Sequence, residues 1–484
     1  MLPSFNFDNT YLSLPERFYS RVNPTPVAAP EMLLFNEPLA RDLDIGFADS
    51  TDEELAAVFS GNVIPEGSKP LAQAYAGHQF GHFTMLGDGR AVLLGEQINA
   101  AGKRFDLQFK GSGPTPYSRR GDGRATLGSM LREYLIGEAI HHLGIPGSRS
   151  LAVVLTGEAV LRNGPEPGAV LTRVMSSHLR VGTFEYARQY LSENDLRTLT
   201  DYAIDRHYPH LAKADNKAFA FLEAVMDKQI ALVCEWMRVG FIHGVMNTDN
   251  THIGGMSFDF GPCAFMNAYH PLTVFSSIDR TGRYAFGKQP GIAQWNTGVL
   301  AGALLPLIHN DGDRALEMAR DLLSAFPERF RKSKEHMLAG KLGFAAPRPG
   351  DAALADQLLE WMREQRADYT NTFLALAEEE LPAEGIYSDK GFVAFRQKWL
   401  DRAQSEVGGL AAVRKHMSRH NPAFIPRNHL VEEALTAAVE DENFGPFEAL
   451  LKILGDPYTP QPGADRYQSP PPEGDAEYQT FCGT

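Results

Sequence analysis

The spacing of apolar residues changes partway along the chain. From Leu71 to residue 185, apolar positions gather in short runs (HFTML, AVLLGEQI, RFDLQFK, LAVVLTGEAVLR) separated by glycine-rich turns. Runs of this kind predict β-strands. In RFDLQFK, Phe105, Leu107 and Phe109 alternate with Asp106, Gln108 and Lys110, so one face is apolar and Lys110 ends the other. Beyond residue 185 the apolar positions return at helical spacing. In residues 216–240, Leu222, Val225, Met226, Val233, Trp236 and Met237 form one stripe, with Gly240 as terminator. Helices are predicted to dominate residues 296–455.

The remaining segments complete the layout. EPLARDLDI and TDEELAAVFSG read as two short helices, the second with Thr51 as N-cap, acids in its first turn and Gly61 past its end. Residues 1–70 are thus expected to form an extension packed on a larger domain. SMLREYLIGEAIHHLG, residues 129–144, predicts a helix inside the β-rich part, and GDGR at 87–90 predicts a tight hairpin turn between two strands. The Pro-rich end, residues 456–484, is expected to be an extended or mobile tail carrying Cys482. The expected division is a 1–70 extension, a 71–185 β-rich half, a 186–455 helical half and the tail.

Composition narrows the function classes. The 484 residues carry a net charge of −14, with 43% apolar and 22% charged residues. That balance argues against nucleic acid or an anionic membrane as the main partner. Any phosphate site must then come from local clusters of Arg and Lys. Cys234, Cys263 and Cys482 have no metal-ligand spacing and suggest no disulfide framework, which fits a reducing compartment and makes the cytoplasm the simplest address. No signal peptide and no apolar run of membrane-spanning length stands out, and nothing implies an oligomer.

The chemistry concentrates in FIHGVMNTDNTHIGGMSFDFG, residues 241–261, where Asp249-Asn250 precedes the Asp-Phe-Gly that begins at Asp259. Oxygen ligands followed by a second carboxylate are what a Mg²⁺-nucleotide site needs. Upstream stand a glycine turn with Arg90, a strand lysine at Lys110, a basic glycine loop (GSGPTPYSRRGDGRATLG), a helix with Glu133 and Glu138, and Arg173 and Arg180 around a Ser-Ser turn. Glycine turn, strand lysine, helix glutamate, His-Asn loop and Asp-Phe-Gly is the order of parts in a protein-kinase-like fold. The fold class expected is α+β, two-lobed and kinase-like, with a β-rich first lobe, a helical second lobe and extensions at both ends. The catalytic loop departs from a kinase. With Asn250 at the metal-binding Asn, His243 takes the His position, but Val245 stands where the catalytic Asp belongs, and an acid appears instead at Asp249. Three activities stay open on these residues: altered transfer chemistry, a γ-phosphate kinase, or a non-catalytic nucleotide-binding scaffold.

YAGHQFGHFTMLGDGRA, LQFKGSGPTPYSRRGDGRA, LREYLIGEA, RVMSSHLRVGTFEY, FIHGVMNTDN and FDFGPCAFM together resemble the selenoprotein O family of protein adenylyltransferases. The resemblance covers nearly the whole chain. It implies transfer of AMP from ATP to Ser, Thr or Tyr hydroxyls of proteins, with ATP bound in a flipped orientation and Mg²⁺ or Mn²⁺ as the metal. Carried over by position, it implies that Gly87, Gly89, Arg90, Asp122 and Gly123 contact the nucleotide, and that Lys110 holds phosphate while paired with Glu133. Arg173 and Arg180 would grip the phosphates that are not transferred. Asp249 would be the general base, Asn250 and Asp259 the metal ligands, with Asp259 also facing the nucleotide. Family members often bear Cys or selenocysteine near the C-terminus, matched here by Cys482, with Cys263 as a candidate redox partner.

Overall fold

The computed structural model of the protein describes residues 1–162, 164–474 and 478–481. The chain begins with strands β1 (Tyr19–Arg21) and β2 (Glu31–Phe35) and helices α1 (Glu37–Asp42) and α2 (Asp52–Phe59). Strands β3 (Leu71–Gln73), β4 (Ala76–Gln79), β5 (His82–Met85), β6 (Ala91–Ile98) and β7 (Arg104–Lys110) follow. Then come α3 (Leu127–His142), β8 (Arg149–Leu161), β9 (Pro165–Met175), α4 (Val181–Tyr190), α5 (Glu193–His207) and α6 (Lys217–Val239). Strands β10 (Phe241–Ile242) and β11 (Ala264–Phe265) bracket residues 243–263, and α7 (Gln289–Ile308) opens a helical series reaching Leu454.

Among the described residues, seven strands form one antiparallel sheet in the order β1-β3-β6-β7-β9-β8-β2. The alternation read in RFDLQFK decides how its two faces are used. Leu107 and Phe109 turn to a core shared with Leu39 of α1, Leu43 just past its end, and Leu55 and Phe59 of α2. The opposite face carries Asp106, Gln108 and Lys110, and the register sets Gln108 of β7 against Arg173 of β9, so both side chains leave the sheet on the same side. A larger core joins α3 to α4, α6, α7 and the later helices. The architecture is α+β with antiparallel pairing, and the polar face of the sheet looks toward the helices.

Four expectations differ from what is observed. Residues 1–70 do more than pack on the sheet: β1 and β2 form its two edges, so the sheet runs across the expected boundary at residue 70. GDGR is not the turn of a hairpin. Strand β5 pairs with β4, whereas β6 pairs with β3 and β7, so the glycines carry the chain from a small two-stranded sheet into the large one. Helix α3 starts at Leu127 rather than at Ser129, whose hydroxyl donates back to the Thr126 carbonyl at 2.8 Å. The tail is docked over its described end: Thr480 is 3% exposed and bonds Phe275 and Ser277 through its backbone and Pro262 through its hydroxyl. Tyr478 packs on Phe275 and donates to Glu432 at 2.7 Å. Cys482 lies outside the described residues.

By length and composition, Phe286–Ile308 could cross a membrane, which the sequence reading did not single out. It packs instead against α4 and α6, and Asn296 of α7 donates to the Met246 carbonyl at 3.0 Å and the Thr251 hydroxyl at 2.8 Å. Gln289 of the same helix bonds Phe241 and His243. This helix holds residues 241–251 from behind.

Candidate active site

A cavity of about 540 Å³ lies between the polar face of the sheet and residues 245–262. Gly87, Gly89, Arg90, Lys110, Asp122, Gly123, Glu133, Arg173, Arg180, Asp249, Asn250 and Asp259 all line it. Its size is that of an ordinary small-molecule site.

The cavity floor is a four-membered ion cluster. Lys110 Nζ donates to Glu133 Oε2 and to Asp259 Oδ1, the latter at 2.7 Å. Arg173 donates through Nε and NH2 to Glu133 Oε1 at 2.8 and 2.6 Å, and through NH2 to Asp259. Two cations therefore share two carboxylates, which is how buried charge becomes tolerable. Burial alone would raise the Asp259 and Glu133 carboxyls, yet Arg173 and Lys110 outweigh it and hold both below their usual range. Asp259 adopts a left-handed backbone (φ +60°), a strained conformation for a non-glycine residue, at the first position of the Asp-Phe-Gly.

Asp249 sits apart from this cluster. It is 8% exposed, its Oδ1 is a buried oxygen without a hydrogen-bond partner, and burial pushes its carboxyl up to about 6 despite the nearby Arg180. A carboxyl tuned toward neutral pH is suited to exchanging a proton. Arg180 precedes α4. Its Nε donates to the His178 carbonyl at 3.1 Å and NH1 to the Asp249 carbonyl at 3.3 Å, while NH2 is buried without a hydrogen-bond partner. The guanidinium stacks on Tyr75, 4.1 Å from the ring centroid.

The glycine segment has a clear steric reason. A Cβ on Gly87 would lie 2.4 Å from the Tyr117 ring, and one on Gly89 would lie 3.0 Å from the Tyr117 carbonyl, so only glycine lets the 115–118 loop close over this segment. The Thr115 hydroxyl donates to the Asp88 carbonyl at 2.6 Å, and the Ser118 hydroxyl to the Gly89 carbonyl. Gly123, with φ +66°, packs directly on Gly113. Asp122 is at the rim, bonded by Arg162 at 2.9 and 3.0 Å. Sequence reasoning did not find Arg162, nor Asp88, a buried acid raised to about 6 by burial and bonded by Gln73 and Gln108. Alternation along RFDLQFK did mark Gln108 as facing this side. Arg162 gave no local signal, because its partner is forty residues upstream in sequence.

The donor atoms fit a hard divalent cation. Among the described residues no cluster of three or more His, Cys, Asp or Glu side chains forms a metal site. Asn250 and Asp259 both present oxygen atoms on the cavity wall, and Asn250 Nδ2 donates to the Val245 carbonyl at 3.2 Å. Two protein oxygens with the rest supplied by phosphate and water is the usual way a protein holds Mg²⁺ beside a nucleotide. Cys263 is fully buried, donates to the Phe260 carbonyl and is raised to about 12 by burial, which makes it a poor thiolate for exchange.

Comparison with known proteins places this geometry. Residues 2–454 match the family model described as protein adenylyltransferase SelO. The chain is 53% identical over 482 residues to the protein nucleotidyltransferase YdiU of Syntrophotalea carbinolica, covering 100% of this chain and 98% of that protein. It is 51% identical to the protein nucleotidyltransferase YdiU of Brevibacillus brevis, covering 100% and 98%, and 51% identical to that of Geobacillus kaustophilus, covering 99% of each. With a family match over nearly its full length and half of its residues shared with these relatives, the chain belongs to the SelO family of protein adenylyltransferases.

Proposed function

We propose that this protein transfers AMP from ATP to hydroxyl groups of protein Ser, Thr or Tyr residues and releases pyrophosphate. The observation that carries the reading is the separation inside one cavity between a cationic floor and Arg180 on one side and a protonatable carboxylate, Asp249, on the other. In a chain of net charge −14, this is a local concentration of positive charge suited to the β and γ phosphates.

Each residue then has a task. Gly87, Gly89 and Gly123 let backbone approach the nucleotide closely, and Arg90 and Asp122 flank it. Lys110, Arg173 and Arg180 hold the β and γ phosphates and stabilise charge on the departing pyrophosphate. Asp249 takes the proton from the attacking hydroxyl, whose oxygen forms a bond to the α-phosphorus as the bond from that phosphorus to the pyrophosphate oxygen breaks. Glu133 fixes Lys110 and Arg173 between itself and Asp259. Asn250 and Asp259 would hold Mg²⁺ or Mn²⁺, which supplies charge neutralisation at the phosphates when bound. The Lys110–Glu133 pair and the order of parts support a two-lobed kinase-like arrangement, with residues 71–185 and 186–455 as the lobes. The acidic surface supports proteins rather than nucleic acid or membranes as partners. Cys234 and Cys263, which form no disulfide among the described residues, and the need for ATP support a cytoplasmic setting.

Product analysis tests the reading. Pyrophosphate released in step with protein modification supports adenylyl transfer. Release of ADP instead would mark the protein as a γ-phosphate kinase.

A further inference from the structure

The β4–β5 hairpin is absent from the assignments above, yet it touches three consecutive residues of the catalytic loop. The His78 amide donates to the Thr248 hydroxyl at 2.6 Å, and the Phe80 amide to Asn247 Oδ1 at 3.0 Å. Gln79 lines the same cavity as Asp249. Gly77 faces the Asp249 carboxylate, since a Cβ there would lie 2.7 Å from Asp249 Oδ1 and 2.9 Å from its Cβ.

The hairpin is itself anchored. The His78 ring bonds Glu185 of α4, and a Cβ on Gly182 of the same helix would lie 2.0 Å from the Ala76 carbonyl, so helix and hairpin meet backbone to backbone. At the tip, Phe80 (φ +49°) packs on Tyr284, centroids 5.2 Å apart, and the Tyr284 hydroxyl donates to Asn247 Oδ1 at 2.6 Å. Asn247 thus receives the hairpin and the 279–284 loop at one oxygen. These bonds run from a rigid two-stranded element to a loop that has only a single short helical turn of its own, Thr248–Asn250.

We propose that this hairpin is the positioning element of the base: Gly77 leaves room for the Asp249 carboxylate, the His78 and Phe80 amides hold the preceding Thr248 and Asn247 side chains, and Gln79 steadies the carboxylate in line with the attacking hydroxyl. The proposal rests on the reading of Asp249 as the base. Gln79 and Gly77 are positioning residues, because they act through Asp249. A reacting group displaced by about 1 Å loses on the order of a hundredfold in rate, so small shifts here register in turnover.

The test is a set of variants assayed by single-turnover transfer from α-labelled ATP and by equilibrium ATP binding. Gln79→Ala and Gly77→Ala are expected to lower the transfer rate about tenfold or more while ATP affinity stays within about twofold. In the Asp249→Asn background both substitutions are expected to have no further effect, because the carboxylate through which they act is gone. Gln79→Glu, which keeps the length but removes the donor, is expected to behave like Gln79→Ala. Gln79→Ala with the wild-type transfer rate overturns the proposal, as does an effect that multiplies undiminished with Asp249→Asn. Should Gly77→Ala fail to fold, the Gln79 variants decide the matter alone. An Asp249→Asn protein with the wild-type rate would instead overturn the base assignment itself, which separates the two failures.

Discussion

Arg180 lies against Asp249, with NH1 donating to the Asp249 carbonyl at 3.3 Å and NH2 left buried without a hydrogen-bond partner. One guanidinium therefore fixes the backbone at Asp249 and keeps a donor beside the cavity. A lysine would retain the charge and lose both the fork and the stacking on Tyr75. Arg180→Lys is expected to slow transfer about a hundredfold or more, read as the initial rate of protein labelling. A wild-type rate would remove Arg180 from the phosphate grip.

Asp249→Asn keeps shape and removes the proton acceptor. Transfer is expected to fall by about 10² to 10⁴, with ATP binding measured by calorimetry unchanged. Retained transfer would favour a scaffold in which Asp249 has no chemical task.

Glu133 holds Lys110 and Arg173 together, and all three are nearly buried. Glu133→Gln leaves two cations with Asp259 as their one remaining carboxylate. A loss of about 3–5 kcal/mol in urea unfolding is expected, because removing one partner strands buried charge. A loss below about 1 kcal/mol would mean that the cluster is hydrated and weak.

Asp259→Asn is expected to abolish the Mg²⁺ or Mn²⁺ enhancement of nucleotide binding, measured by titrating ATP with the metal and with EDTA. An enhancement equal to that of the unchanged protein would exclude Asp259 as a ligand.

Acid should destabilise the fold through three buried histidines near the sheet. Burial depresses His178 to about 4 and His207 to about 3, and holds His252 well below the usual imidazole range, although the Asp106 bond opposes the shift at His178. The unfolded chain, with imidazoles near 6.5, binds more protons than the folded chain below that pH. Stability is thus fully present above about pH 6.5 and is lost as pH falls toward 4, by about 1.4 kcal/mol per histidine per pH unit. Melting temperatures measured from pH 7 to pH 5 should fall, and His207→Gln should reduce the slope by about one proton. A flat profile over this range would contradict the neutral, buried state of these rings.

Local signals in the sequence identified what local physics controls. Thr51 is the N-cap expected and forms a capping box with Glu54, Gly240 ends α6 in the left-handed conformation, and the alternation in RFDLQFK separates the core face from the site face. The site segments were legible because several of them, from the glycine turn to Asp-Phe-Gly, fall in an order that a nucleotide site requires. What stayed hidden depends on distant partners. β1 has three residues and β2 five, too few for a period, and each is a strand only because β3 or β8 pairs with it. GDGR carries the signature of a hairpin turn, yet β5 pairs back onto β4 while β6 pairs with β3 and β7, and that pairing decides its role. The docking of Thr480 on Phe275 and of the β4–β5 hairpin on residues 247–249 likewise join segments far apart in the chain, where spacing carries no information.

The most direct measurement of the central claim supplies ATP labelled at either the α or the γ phosphate, with the metal and a protein acceptor. The expected result is label on protein from α-labelled ATP and none from γ-labelled ATP, with the signal lost in Asp249→Asn. Label on protein from the γ position alone would contradict adenylyl transfer.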